Sequence, residues 1–283
     1  MPAGWSASIR RDGESVMELC RIGILGCAGR MGRMLLSETL GTKGAELAGG
    51  VDRLKSGEIA DLGELGGVKP LGIFAGEDPK ALFDAADVVI DFTIPEATVR
   101  HAAIAAETGK GLVIGTTGID AEQTRQIEAA ALAAPIVWAP NMSLGVNLLL
   151  GLVEQVARAL ESDWDIEIIE MHHRHKIDAP SGTALGLGRA AAKGRGVDLD
   201  SVAVKSRDGY TGARPTGTIG FATLRGGDVV GDHTVVFAGE AERIELTHKA
   251  TDRRIFARGA LRAALWVKGK PPGLYGMKDV LGI

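Results

Sequence analysis

The sequence predicts an α/β protein: a doubly wound parallel sheet followed by an α+β region with a mixed sheet. Three observations carry this reading. Short apolar runs alternate with helical stretches over the first half of the chain, the rhythm of parallel strands buried on both faces. A glycine-rich turn, Gly26-Cys27-Ala28-Gly29-Arg30-Met31-Gly32, follows the first of these strands. After Ser143 the rhythm changes to a long helix, a strand, a helix, and then several strands with no long helix between them.

Taken in order, residues 1–20 read as a flexible leader, and Met17 is a candidate native start because a strand begins just after it. That strand spans 21–25, and its turn leads into a helix over 30–40. A second strand covers 46–51 and ends at Asp52-Arg53. A third, 87–91, is broken by Phe92-Thr93-Ile94-Pro95 and followed by a helix to residue 108. A fourth, 111–114, runs into Gly115-Thr116-Thr117-Gly118 and precedes a helix over 121–133. A fifth, 136–138, ends in Ala139-Pro140-Asn141-Met142-Ser143. Ligands bind such sheets at the carboxyl ends of the strands, where the glycine-rich and threonine-rich turns and 139–142 fall. A helix over 146–160, a strand over 165–171 and a helix over 183–193 come next. Several strands within 202–247 and an amphipathic helix over 254–267 complete the chain. The domain change is expected near residue 146.

Composition excludes several classes. At 283 residues the chain suits one large or two modest domains. A net charge of −4 favours neither nucleic acid nor an anionic membrane as a partner. Forty glycines and only 4% aromatic residues suit many tight turns and close backbone approaches. Two cysteines, Cys20 and Cys27, are too few for a disulfide framework or a zinc site, which points to a reducing compartment. The start lacks an apolar core segment, and Asp12, Glu14 and Glu18 argue against a transit peptide. An uncharged run over 129–153 is interrupted by Pro135, Pro140, Asn141, Ser143 and Asn147, so it reads as strand, loop and helix rather than a membrane span. The expectation is a soluble, cytoplasmic protein.

The turn at 26–32 follows a strand and opens a helix, as a pyrophosphate-binding turn requires. Its spacing is G-x-x-G-x-x-G rather than the commoner G-x-G-x-x-G. The plain alternative is a glycine turn with no ligand; the flanking β-α-β pattern favours the nucleotide. Asp52, 20 residues after Gly32, stands where an acid bonds the ribose hydroxyls. Asp52 favours the free ribose of NADH, whereas Arg53 or Arg30 can pair the 2′-phosphate of NADPH, so both cofactors are expected to serve. Cys27 reads as a small space-filler rather than a nucleophile.

The densest chemistry lies further on, in Glu170-Met171-His172-His173-Arg174-His175-Lys176-Ile177-Asp178-Ala179-Pro180-Ser181-Gly182-Thr183. A metal reading is weakened because Arg174 and Lys176 repel a cation and only Glu170 and Asp178 add carboxylates. A solvated basic loop is the bland reading. The sharper reading joins the cations to Ser181-Gly182-Thr183, whose amides and hydroxyls at a helix N-terminus can hold a carboxylate. An imidazole near neutrality and an ammonium then offer two proton donors. Together the two motifs suggest that a nicotinamide cofactor reduces a small dicarboxylate.

These residues resemble the dihydrodipicolinate reductase (4-hydroxy-tetrahydrodipicolinate reductase) family, from about residue 21 to the C-terminus. The signature from Glu170 to Ala184 carries the likeness. Gly26-x-x-Gly29-Arg30-Met31-Gly32, Asp91-Phe92-Thr93, Gly115-Thr116-Thr117-Gly118, Asn141-Met142-Ser143, Gly217-Thr218-Ile219-Gly220 and Gly231-Asp232-His233 support it. The resemblance implies a Rossmann-type dinucleotide-binding domain over 21–146, completed by 254–283. It implies a substrate-binding and tetramerisation domain over 147–253, with a hinge around 141–147 and 249–253. It implies that NADH or NADPH reduces 4-hydroxy-tetrahydrodipicolinate to tetrahydrodipicolinate with loss of water, in the diaminopimelate route to lysine. By position, His172 matches the proton donor and acceptor and Lys176 the second proton donor. His173, Gly182 and Thr183, with Ser181 alongside, match substrate contacts. Gly26, Cys27, Ala28, Gly29, Arg30, Met31, Asp52, Arg53, Gly115, Thr116, Thr117, Ala139, Pro140, Asn141 and Met142 match cofactor contacts; no metal is implied. Two other readings stay open: a different reductase or dehydrogenase of amino-acid metabolism, and a non-catalytic NAD(P)-binding regulator. Substrate-dependent cofactor oxidation separates them.

Overall fold

The structure, a computed structural model, describes residues 8–9, 15–16, 19–53 and 60–283. The leader expected over 1–20 lies largely outside the described residues; within it, β1 (Ser8–Ile9) pairs antiparallel with β2 (Ser15–Val16).

The chain then alternates strand and helix: β3 (Cys20–Leu25), α1 (Arg30–Gly41), β4 (Ala45–Val51), α2 (Leu62–Leu65), α3 (Pro79–Ala85), β5 (Val88–Asp91), α4 (Pro95–Thr108), β6 (Gly111–Ile114), α5 (Ala121–Ala130) and β7 (Pro135–Trp138). Local signals set the boundaries. Proline opens α3 and α4, where its missing N–H costs nothing. Asp120 and Gln123 form a reciprocal capping box on α5. Gly109 ends α4 in the left-handed region at φ +65°. The passage continues through α6 (Leu144–Ala159), β8 (Asp165–His172), α7 (Gly182–Arg195), α8 (Leu199–Val202), β9 (Ala203–Val204), β10 (Ile219–Arg225), β11 (Gly231–Ala238) and β12 (Arg243–Ala250). It closes with α9 (Arg254–Val267), β13 (Gly273–Tyr275) and α10 (Met277–Leu281). No described helix is long and apolar enough to cross a membrane.

The chain divides into two compact units. The first comprises residues up to Met142 with Ala257–Val280; the second comprises Ser143–Phe256 with Leu281–Ile283. The change falls between Met142 and Ser143, at the cap of α6, where the sequence rhythm changes and slightly before the boundary expected near residue 146.

The first unit holds a six-stranded parallel sheet in the order β13-β7-β6-β5-β3-β4. Its central strands are buried on both faces, as their uninterrupted apolar runs require. From β3 the chain moves to β4 on one side and later to β5 on the other. The gap between the carboxyl ends of β3 and β5 is therefore the topological switch point, where ligands bind such sheets.

The second unit holds a mixed sheet in the order β12-β11-β8-β10-β9, with β8, β10 and β9 parallel and β11 antiparallel to both β8 and β12. Leu149 and Val153 of α6 and Leu187 of α7 pack with Ile166, Ile168, Phe221, Val235 and Phe237 from the strands. Burial of each such side chain contributes about 1.5–3 kcal/mol. Alternation makes this face apolar along most of its length. At the end nearest the caps of α6 and α7 the same face turns polar, with Glu170 and His172 of β8, Arg225 of β10, His233 of β11 and His248 of β12.

Candidate active site

In the first unit, the turn after β3 is shaped for close approach. Gly26 has φ +74°, a conformation that favours glycine. At Gly32 a Cβ would overlap the Gly26 carbonyl oxygen and the Cys27 backbone, so only glycine lets α1 pack onto the turn. Gly29 caps α1 without any side-chain hydrogen bond, so the first helical amides and the dipole are left for an anion. Asp52 ends β4 and locks the turn: its Oδ2 accepts from the Ala28 amide at 2.8 Å and its Oδ1 from the Arg53 amide at 2.7 Å. Each oxygen keeps a lone pair for a ribose hydroxyl. Cys27 is buried, and burial with the nearby Asp52 charge pushes its thiol up to about 12, which suits a filler and not a nucleophile.

These elements surround a cleft of about 850 Å³ at the switch point. Gly26 and Gly29 line one side, Asp52 and Arg53 the next, and Phe92, Thr93 and Ile94 after β5 a third. From α4 come Arg100 and His101. His101 is buried and its Nδ1 lies 2.8 Å from the Asp91 Oδ2, while Asp91 Oδ1 accepts from the Thr93 amide at 2.9 Å and its hydroxyl at 2.6 Å. The polar end of an otherwise apolar strand thereby holds the Phe92-Thr93 segment. Gly115 is required because a Cβ there would overlap the Phe92 ring. Thr116 is buried and its Oγ1 accepts from Thr98 at 2.8 Å, whereas Thr117 is exposed. Ala139 donates its amide to Ile114. The Met142 carbonyl sits so close to Gly259 of α9 that no Cβ fits there. The glycine cradle, Asp52 and the free helix amides fit a dinucleotide.

In the second unit, Glu170 organises the polar end of the sheet. It is 1% exposed, and its carboxylate takes four donors or ring contacts. Oε2 accepts from Arg225 Nη1 at 2.8 Å and lies 2.6 Å from His172 Nδ1. Oε1 accepts from Arg225 Nη2 and from the Ser181 amide, both at 3.0 Å. Arg225 also donates to the Asp178 carbonyl at 2.7 Å. Burial alone would raise the Glu170 carboxyl, but hydrogen bonds from Arg225, His172 and Ser181 hold it below the usual range. Burial pushes the His172 imidazole down, against the pull of Glu170 and with the help of Lys176 and Arg225. His172 and His233 meet edge to face at 5.0 Å. Burial, then the His172 charge, bring His233 to about 4.

Lys176 stands on the loop after β8, paired with Asp178 at 2.8 Å. Arg174 and His175 face solvent, while His173 is half-buried. Ser181 caps α7 by accepting the Ala184 amide at 3.1 Å and lies 3.1 Å from His233 Nε2, so its amide and hydroxyl are both engaged within the fold. Gly182 opens the helix, and its amide has no intrahelical acceptor.

The structure thus brings His172, Lys176, Ser181 and Gly182 to one end of the second unit. The turn residues, Asp52 and Arg53 gather at the switch point of the first. Arg30 is exposed at the start of α1; Arg100, which the sequence reading passed over, lines the cleft beside Arg53. Arg225, His233 and His101 were likewise missed as site residues. Arg225 meets Glu170 only through the parallel register of β8 and β10, where Thr223 lies opposite Glu170. A lone arginine at a strand end carries no local signal of that. Among the described residues, no group of three histidine, cysteine or carboxylate side chains is placed to hold a metal ion.

The chain is similar to known proteins over most of its length. The family model described as dihydrodipicolinate reductase, N-terminus, matches residues 20–142, and that described as dihydrodipicolinate reductase, C-terminus, matches residues 145–281. The chain is 58% identical over 265 residues to the 4-hydroxy-tetrahydrodipicolinate reductase of Parvibaculum lavamentivorans, covering 93% of this chain and 98% of that one. It is 57% identical over 262 residues to the protein of the same name from Rhizobium rhizogenes, covering 92% and 96%. Among solved structures, the dipicolinate-bound dihydrodipicolinate reductase of Paenisporosarcina sp. TG-14 matches with a TM-score of 0.74 and 25% identity, over 92% of this chain and 99% of that one. Aspartate semialdehyde dehydrogenase II from Vibrio cholerae, at 12% identity and a TM-score of 0.53, shares the fold alone.

Proposed function

Because this chain belongs to the dihydrodipicolinate reductase family, we propose that it reduces 4-hydroxy-tetrahydrodipicolinate to tetrahydrodipicolinate, with NADH or NADPH as reductant and loss of water. The step serves the diaminopimelate route to lysine. One observation carries the reading beyond family membership: a buried imidazole, His172, stands beside an ammonium, Lys176, and a helix start, all at one polar end of an otherwise apolar layer.

When bound, the nicotinamide supplies a hydride; substrate, cofactor and one proton become product, oxidised cofactor and water. The chain's own residues do the rest. Hydride addition to a conjugated imine builds electron density on the ring, and His172 delivers the proton that neutralises it. The free imidazole is neutral near pH 7, since burial lowers it; the two substrate carboxylates raise it again and load it with a proton. Lys176 exchanges Asp178 for a substrate carboxylate and acts as the second donor. His173, Gly182 and Thr183 hold the carboxylates at the α7 N-terminus, with Ser181 fixing that helix start.

Gly26, Cys27, Ala28, Gly29, Arg30 and Met31 hold the pyrophosphate. Asp52 and Arg53 face the adenosine ribose. Gly115, Thr116, Thr117 and Ala139, Pro140, Asn141 and Met142 border the nicotinamide half. Asp52 favours NADH and Arg53 NADPH, so neither is excluded. The enzyme works in the cytoplasm as a homotetramer built by the second unit, a reading supported by Ile169 and Leu224, which stand exposed on the sheet face turned away from the helices. Light scattering that reports a monomer at micromolar concentration removes the tetramer from the account.

The test is a coupled assay in which the substrate is generated enzymatically and cofactor oxidation is followed separately with NADH and NADPH. Oxidation of both that depends on the substrate is expected. No substrate-dependent oxidation of either refutes the reading.

A further inference from the structure

The family reading leaves Glu170 without a task, although it is the most deeply buried and most fully coordinated carboxylate of the second unit's site. The Arg225 guanidinium, which can only donate, grips Glu170 in a two-pronged contact at 2.8 and 3.0 Å. The Ser181 amide adds a third donor at 3.0 Å. A carboxyl group with these three donors on its two oxygens is ionised and can only accept. The ring nitrogen 2.6 Å from Oε2, His172 Nδ1, must therefore carry a hydrogen. The other nitrogen is left to the chemistry. Gly231 of β11 keeps that side clear, since a Cβ there would stand 3.0 Å from Nε2.

We propose that Glu170 is the positioning residue of His172: clamped by Arg225 and the Ser181 amide, it accepts the Nδ1–H, fixes the ring, and leaves Nε2 as the atom that carries the transferred proton. The arrangement has the logic of a carboxylate that orients a catalytic histidine in hydrolytic triads. It adds a link those triads lack. Arg225 also holds the Asp178 carbonyl, and Glu170 also holds the Ser181 amide, so one carboxylate sets both the proton donor and the turn that begins the carboxylate-binding helix. The proton path balances: Nε2–H passes to substrate carbon, and the neutral ring recovers a proton from solvent while Nδ1–H stays on Glu170. The inference rests on the proposed role of His172, but its principal readout does not depend on turnover.

The groups facing His172 are few. Glu170 lies on its own strand, Arg225 on β10, His233 on β11, and Lys176 with Asp178 on the following loop. Arg225 and Lys176 are cationic side chains and burial keeps His233 neutral, so Glu170 is the anion in hydrogen-bond contact with the ring.

The first arm is solid-state 15N NMR of the wild-type protein with histidine-selective label. The His172 signals are assigned by their loss in His172→Gln, and the chain has only six histidines to sort. Above neutral pH the ring is expected as the Nδ1–H tautomer. The Nε2–H tautomer overturns the proposal, whatever the activity. The second arm is the pH profile of turnover. Without the carboxylate charge, Glu170→Gln should move the alkaline limb, where the proton donor is lost, down by about one to three pH units, the usual effect of an adjacent opposite charge. Turnover should fall about tenfold or more, with KM for NADH within about twofold. Glu170→Asp should restore much of the limb. If Glu170→Gln does not fold, it is combined with Arg225→Gln and compared with Arg225→Gln alone, because losing the guanidinium by itself lifts the ring; the alkaline limb of the double variant should lie below that of the Arg225 variant. A fall in turnover with the limb unmoved means that Glu170 merely supports the fold, and the proposal fails.

Discussion

Removing the His233 imidazole should abolish a large part of the protein's acid sensitivity. His233 is 4% exposed on the helix-facing side of β11. Its Nε2 contacts the Ser181 hydroxyl, and its Nδ1 meets no hydrogen-bond partner among the described residues. Burial first, then the neighbouring His172 charge, carry its pKa from 6.5 down to about 4. The unfolded chain binds this proton as pH drops below 6.5, while the folded protein refuses it until about pH 4. Stability is therefore whole above pH 6.5 and drains away between there and pH 4. A difference of roughly 2.5 pH units corresponds to about 3 kcal/mol at 1.36 kcal/mol per unit. His233→Gln keeps a polar side chain but cannot titrate in this window. Urea unfolding of both proteins, followed by circular dichroism at pH 7, 6, 5 and 4.5, reads the difference. Relative to the variant, the wild type is expected to lose about 2–3 kcal/mol of stability between pH 7 and pH 4.5. A difference that stays constant with pH would refute the claim that His233 is buried neutral.

Substitutions at the two sites have further expected outcomes. His172→Gln should lower turnover by roughly 10²–10⁴-fold, the usual loss for a general acid, with cofactor affinity retained. Lys176→Ala should lower turnover similarly and also raise KM for the substrate; near-normal kinetics in both variants contradicts the assignment. Arg53→Ala should weaken NADPH more than NADH by about fivefold, about 1 kcal/mol for an exposed pair. Asp52→Ala should weaken both cofactors, because the Ala28 amide loses its acceptor, and NADH the more; an unchanged ratio of KM values in Arg53→Ala defeats this account of dual use. Gly32→Ala forces α1 away from the Gly26 carbonyl and should abolish cofactor binding measured by calorimetry, so retained micromolar affinity argues against the turn as the pyrophosphate site.

Much of the fold was legible because its signals are local. The apolar runs at 21–25, 87–91, 111–114 and 136–138 became β3, β5, β6 and β7 within a residue or so. The mixed second sheet followed from a run of strands without long helices. α3 was passed over although Asp78-Pro79 is a clear start signal; seven residues make under two turns, too few to show a helical period. β13 was also missed, since three residues at a sheet edge carry no pattern of their own. The site divides in the same way. The turn at 26–32 and the cluster at 172–183 are contiguous, so the residue types announce themselves. Arg225, His233, Arg100 and His101 reach their places through strand register and helix packing. Glu170 was visible in the sequence, but its partner lies 55 residues away, and without that partner its role could not be read.

The central claim is that the chain moves a hydride from a nicotinamide to a dicarboxylate imine, and isotope transfer tests it most directly. The protein is given NADH or NADPH deuterated at one face of C4, together with enzymatically generated substrate, and the product is examined by mass spectrometry. The account predicts one deuterium in tetrahydrodipicolinate from one face of the cofactor and none from the other, with either nucleotide. Cofactor oxidation that leaves the product unlabelled from both faces, or no oxidation at all, would contradict it.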